Sequence, residues 1–99
     1  MEFEEPQSTG FTIYTKSGCK NCTKVKNFLD EKKLPNVKIC CDDYIIEDKT
    51  NFVAFIISKT KEEMVLFPIV FNNGVFVGGY PETKDLIEKA ICFEESIDF

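Results

Sequence analysis

Two cysteines three positions apart, Cys19 and Cys22, enclose Lys20 and Asn21 and are the residues best suited to chemistry in this chain. At that spacing on a helix both thiols share one face of the first turn, close enough to form a reversible disulfide. The chain has no histidine. Cys–His and Ser–His nucleophile pairs and histidine metal sites are therefore excluded, and any thiol chemistry must be driven by backbone dipoles, lysines or a second thiol. Residues 10–29 carry Lys16, Lys20, Lys24 and Lys26 and no acid, a local reversal of sign in a chain of net charge −5. A thiol at a helix N-terminus beside such lysines is held as the reactive thiolate by unpaired N–H groups and positive charge. That thiolate is also the better leaving group when a second thiol attacks a mixed disulfide. The roles follow: Cys19 is the nucleophile and Cys22 the resolving thiol.

Zinc is the competing use of such a motif. A four-cysteine site would need Cys19, Cys22, Cys40 and Cys41, but the second pair is adjacent rather than spaced by two and chelates poorly. No metal site is expected. Cys40 and Cys41 alternate across a strand, which sends one to the core and leaves the other a bystander. Cys92 reads as packing on the last helix.

The elements that position Cys19 and Cys22 are legible around them. Residues 1–9 are acidic and polar and read as a flexible leader, followed by a single domain over 10–99. Gly10–Tyr14 is strand-like, and Ser17-Gly18 breaks it. From Cys19 to Lys33 the spacing of Cys22, Val25, Phe28 and Leu29 predicts a helix, which Leu34-Pro35-Asn36 ends. Val37–Cys41 reads as a second strand. The run Phe52–Ile57 reads as the middle of a helix within 42–63, and residues 58–66 as a charged connection. Ile69–Phe71 and Val75–Val77 flank Asn72-Asn73-Gly74, a hairpin signal because Asn and Gly tolerate positive φ. Pro81 opens a last helix with Leu86, Ile87, Ala90 and Ile91 as its apolar stripe. The fold class is thus α/β, with order β-α-β-α-β-β-α and a four-stranded mixed sheet flanked by three helices.

The chain's 99 residues, 43% of them apolar, suit one modest core. The acidic balance argues against nucleic acid or an anionic membrane as partner. No apolar run is long enough for a membrane helix, and the acidic N-terminus lacks the pattern of a secretory signal. A cytoplasmic location is the expectation, and a structural disulfide framework is not.

Tyr14-Thr15-Lys16-Ser17-Gly18-Cys19-Lys20-Asn21-Cys22 resembles the active-site run of the glutaredoxin family, YTK-x-x-C-P-Y-C. Phe67-Pro68-Ile69-Val70-Phe71 resembles that family's T-V-P-x-x-F segment, and Val77-Gly78-Gly79-Tyr80 its I-G-G motif. The resemblance covers about residues 10–92 and implies the thioredoxin fold. It implies a glutathione-dependent thiol–disulfide oxidoreductase that reduces protein disulfides or glutathione mixed disulfides. In that reading Pro68 is cis, the backbone of Phe67 pairs with glutathione, and Lys16 meets a glutathione carboxylate. Gly79 and Tyr80 lie where a helix N-terminus binds the γ-glutamyl end. The partners implied are glutathione as co-substrate and disulfide-bearing proteins such as ribonucleotide reductase, the protein acting as a monomer.

The sequence departs from the pattern at Lys20-Asn21, which replace Pro-Tyr, at Leu66-Phe67, which replace Thr-Val, and at Pro81, which pushes the acidic Glu82 one place on. The first of these leaves open a second role. Some family members carry a [2Fe–2S] cluster between two subunits, and a proline after the nucleophile is thought to disfavour it. Two further roles compete with these: a dithiol donor dedicated to one protein partner, and a binding module with an inert cysteine pair.

Overall fold

The computed structural model describes residues 2–97, with side chains through residue 89. The elements are β1 (Phe11–Thr15), α1 (Lys20–Glu31), β2 (Asn36–Cys40), α2 (Asp42–Thr60), β3 (Ile69–Asn72), β4 (Val75–Gly78) and α3 (Tyr80–Ile97). Their order is the expected one. The sheet runs β2-β1-β3-β4, with β1 parallel to β2 and antiparallel to β3, and β3 antiparallel to β4.

Every residue of β1 is buried, as expected of a central strand covered on both faces. Phe11 and Ile13 face Val25 and Leu29 of α1 and Ile87 of α3, whereas Tyr14 faces Phe52 and Ile56 of α2. Thus α1 and α3 cover one face of the sheet and α2 the other. A fully buried side chain such as Phe52 or Leu29 contributes roughly 1.5–3 kcal/mol, and Leu29 anchors the helix that carries the cysteine pair. Asn73 (φ 53°) and Gly74 (φ 81°) make the tight turn between β3 and β4.

The structure departs from the sequence reading in three places. First, α2 begins at Asp42, directly after β2, and runs to Thr60, so the connection is shorter than expected and starts at Lys61. It is two segments joined at Asp48 (φ −152°, ψ 55°), whose carboxylate accepts from Asn51 Nδ2 at 3.0 Å. That break resets the helical phase and hides the stripe. Second, Leu86 is 41% exposed while Thr83 is fully buried. The inner face of α3 is set by Thr83 and Ile87, one turn apart, and the side chains of Ala90, Ile91 and Cys92 lie outside the described residues. Third, Cys41 caps α2 rather than ending β2.

Residues ahead of β1 make specific contacts with α2 and β1. Phe3 lies against Tyr44, Phe52 and Phe55, at ring centroid distances of 5.0, 5.5 and 5.3 Å. Tyr14 Oη donates to the Glu4 carbonyl at 2.6 Å, and Lys59 pairs with Glu5. One aromatic ring, invisible to helix or strand periodicity, joins a hydrogen bond and an ion pair in seating an otherwise acidic segment. No described helix is long and apolar enough to cross a membrane.

Candidate active site

The strand β1 delivers the chain to a short loop, Lys16–Gly18, from which α1 starts. Gly18 turns it with φ 75° in open space, so glycine is there for its backbone freedom. Cys19 is then the N-cap of α1, in extended conformation (φ −96°, ψ 108°), and its Sγ accepts the Cys22 N–H at 3.2 Å. A cap position calls for a side-chain acceptor, normally a Ser or Asp oxygen. Here sulfur fills it, and an acceptor at that place sits in the positive field of the helix. The first turn of α1 contains no acid that would oppose this.

Cys22 is a turn further in and 1% exposed. Burial pushes its thiol up to about 11, aided by the hydrogen bond shared with Cys19 and opposed by the Lys16 backbone. The pair is therefore asymmetric: a half-exposed sulfur receiving an N–H, beside a buried neutral thiol.

The loop before Cys19 is clamped from across the sheet edge. The Asp42 carboxylate, in the first turn of α2, accepts from the Ser17 N–H at 2.9 Å and from the Ser17 hydroxyl. Those bonds hold the Asp42 carboxyl below the usual carboxylate range. Local sequence patterning does not reveal this clamp, because the partner of Asp42 lies 25 residues earlier.

A groove of about 870 Å³ opens beside the cysteine pair, reached at Asn21 and lined by Phe67, Pro68, Gly79 and Tyr80. The Phe67-Pro68 bond is cis, as the resemblance implied. Lys16 Nζ stands 5.6 Å from the Phe67 ring centroid, and that ring stacks on Phe52 at 6.4 Å. Lys24 Nζ stands 5.9 Å from the Tyr80 ring. Phe67, Pro68, Gly79 and Tyr80 thus share one groove, while Lys16 borders it through Phe67 rather than by lining it.

One contact of a residue already noted in the sequence was not anticipated. Glu82 folds back so that its Oε1 accepts the Gly79 N–H at 2.7 Å. The sequence signal was the three-residue spacing of a capping box. Of the other thiols, Cys40 is exposed on β2, and Cys41 is fully buried in the core cluster under α2.

The family model for glutaredoxin matches residues 11–77. No curated protein matches the sequence. Among solved structures the chain is similar to glutaredoxin 1 from Francisella tularensis complexed with cacodylate, at 24% identity and TM-score 0.68, covering 82% of this chain and 94% of that one. It is similar to a buckwheat glutaredoxin–glutathione complex at 23% identity and TM-score 0.69, covering 85% and 73%. A wheat glutaredoxin matches at 27% identity and TM-score 0.66, covering 83% and 72%.

Proposed function

The chain belongs to the glutaredoxin family, and from that premise we propose that it is a dithiol oxidoreductase working through Cys19 and Cys22 with glutathione as reductant. The observation that carries this reading is the N-cap at Cys19: a half-exposed sulfur bonded to the Cys22 N–H, with the second thiol buried directly behind it. The Cys19 thiolate attacks one sulfur of a substrate disulfide, whose other sulfur leaves as a thiolate. Cys22, once deprotonated, attacks the resulting mixed disulfide, expelling the second substrate thiol and closing Cys19–Cys22. Two glutathione thiolates in succession then return the pair to the dithiol form and leave as glutathione disulfide. Each step trades one S–S bond for another, and the two electrons come from glutathione.

The groove beside the pair supplies the second half of the reading. The Phe67-Pro68 wall lines this groove, which Asn21, between the two cysteines, also borders, and Lys16 adds positive charge at that wall. The substrates proposed are disulfide-bearing proteins and glutathione mixed disulfides, handled by a monomer in the cytoplasm.

The test is turnover of a small glutathione mixed disulfide, with glutathione and glutathione reductase recycling, for wild type, Cys19→Ser and Cys22→Ser. Activity lost in Cys19→Ser and largely kept in Cys22→Ser is the expected result, since a monothiol route needs only the nucleophile. No turnover by wild type, despite a reducible Cys19–Cys22 disulfide, would overturn glutathione dependence.

A further inference from the structure

Phe67 is one of the positions at which this chain departs from the glutaredoxin pattern, and it lines the groove. Its ring is half-buried and stacks on Phe52, with an interplanar angle of 13°. The same ring carries Lys16 Nζ at 5.6 Å from its centroid, within reach of a cation–π attraction. Phe52 in turn is 1% exposed, and Tyr44 and Phe3 lie against it at 5.4 and 5.5 Å. Phe3 meets it edge-on, at 65°. Phe3, Phe52 and Phe67 thus form a continuous series of rings from the segment ahead of β1 to the wall of the groove.

The segment that carries Phe3 is held by its backbone and by one charge. The Glu4 N–H donates to Tyr44 Oη at 3.3 Å, the Glu4 carbonyl accepts from Tyr14 Oη, and Lys59 pairs with Glu5. The Gln7 N–H donates to Thr12 Oγ1 at 2.9 Å. Glu2, Glu4 and Glu5 are exposed, so Phe3 is what this stretch contributes to the aromatic cluster. A close-packed interior answers the loss of a ring by shifting its neighbours into the gap. Phe52 is such a neighbour, and its movement displaces the ring stacked on it.

We propose that Phe3 is a positioning residue for the groove: through Phe52 it sets the Phe67 ring, and with it the wall and the Lys16 charge that a glutathionylated substrate meets. The series of rings ends at that wall, so its effect falls on substrate binding rather than on the sulfur of Cys19. This rests on the thiol–disulfide reading above and extends it to a residue outside the groove.

The experiment measures turnover of a small glutathione mixed disulfide by the full chain, with glutathione and glutathione reductase recycling, in a double-mutant cycle of Phe3→Ala and Phe67→Val. Phe3→Ala should raise KM about three- to tenfold, the scale of one lost aromatic contact, with kcat within about twofold of wild type. The rate at which iodoacetamide alkylates Cys19 should not change. In the Phe67→Val background Phe3→Ala should leave KM where it was, because the ring it acts on is gone. Phe3→Leu keeps an apolar cover without the ring, and its KM should lie between those of wild type and Phe3→Ala. It also carries the same cycle if Phe3→Ala does not fold. An unchanged KM in the folded variants, an equal rise in both backgrounds, or a fall in kcat alone would overturn the proposal and leave the oxidoreductase reading intact. Absence of turnover by wild type would overturn that reading, and this proposal with it.

Discussion

The chain carries two cysteine pairs, each at a strand-to-helix junction, and only one is arranged to react. Cys19 caps α1 and Cys41 caps α2. At the first junction the sulfur accepts an N–H from the helix it starts. At the second no side-chain cap forms, and the Cys41 thiol instead donates to the Ile39 carbonyl at 3.6 Å. Cys41 is fully buried, and burial pushes its thiol up to about 12, with Cys40 beside it adding to the shift. A helix N-terminus is therefore not sufficient to activate a thiol. The sulfur must also keep contact with solvent and turn its lone pairs toward the N–H groups. Spacing decides the rest: a three-residue offset puts the second thiol behind the first, while the adjacent pair leaves Cys40 exposed at the end of β2 and Cys41 buried at the start of α2.

The sharpest way to break this comparison is to alkylate the native reduced protein with iodoacetamide and follow each cysteine by mass spectrometry. Cys19 should react at least ~100-fold faster than Cys41, because the thiolate is the reacting species and a buried thiol supplies almost none. Comparable rates at the two caps would show that exposure and sulfur orientation do not distinguish them.

A second prediction concerns the thiol behind Cys19. With its ordinary value raised to about 11, Cys22 has little thiolate at neutral pH. Its attack on Cys19 glutathionylated in advance should accelerate about tenfold per pH unit from pH 7 to 10, one proton being lost per attack. The rate of glutathione release measures it. A profile flat over that range would mean that Cys22 is not the thiol that must ionise.

How much of this was readable in the sequence depends on the range over which each feature is determined. The order of elements, the Asn73-Gly74 turn and the entry of α1 at Cys19 are local, set by residue types within a few positions. The cis Phe67-Pro68 bond and the placing of Gly79 and Tyr80 at the groove came from the family resemblance. Features fixed by distant partners were not visible. Residues 42–51 show no single stripe, because the helix breaks at Asp48 and leaves Ile46 80% exposed. The seat of Phe3 exists only once Tyr44, Phe52 and Phe55 are brought together. Thr83 replaces Leu86 on the inner face because the phase of α3 is fixed by its capped start at Gly79 and Glu82, not by hydrophobicity alone.

The two buried thiols also make a prediction about stability. Both are raised from the ordinary value of 9.0 in the folded state, Cys22 to about 11 and Cys41 to about 12. Their contribution is complete below the unfolded value and is lost as pH climbs toward the folded one, because the unfolded chain releases these protons first. Stability should therefore fall as pH rises from the unfolded value of about 9 toward 11. Cys41→Ala removes one of the two groups, so urea unfolding at pH 8 and pH 10.5 should show a loss smaller than wild type's by about 2 kcal/mol. An equal loss in both proteins would mean that the Cys41 thiol ionises as freely folded as unfolded.

The smallest effect expected joins the two junctions. Asp42 follows Cys41 directly, yet its carboxylate holds Ser17, two residues before Cys19. The inert junction thus positions the reactive one. Asp42→Ala should lower turnover of a glutathione mixed disulfide a few-fold, on the order of 3 to 10, by loosening the loop that aims Cys19. Asp42→Asn, which keeps an acceptor for the Ser17 N–H, should recover most of that loss. The carboxyl is held below its usual value by Ser17, so the clamp is complete above the ordinary carboxylate value and is lost as pH falls through the lower folded one. Activity of wild type and Asp42→Ala should therefore differ at neutral pH. Identical turnover there would mean that α1 and the fixed strand β1 aim Cys19 without help from the neighbouring junction.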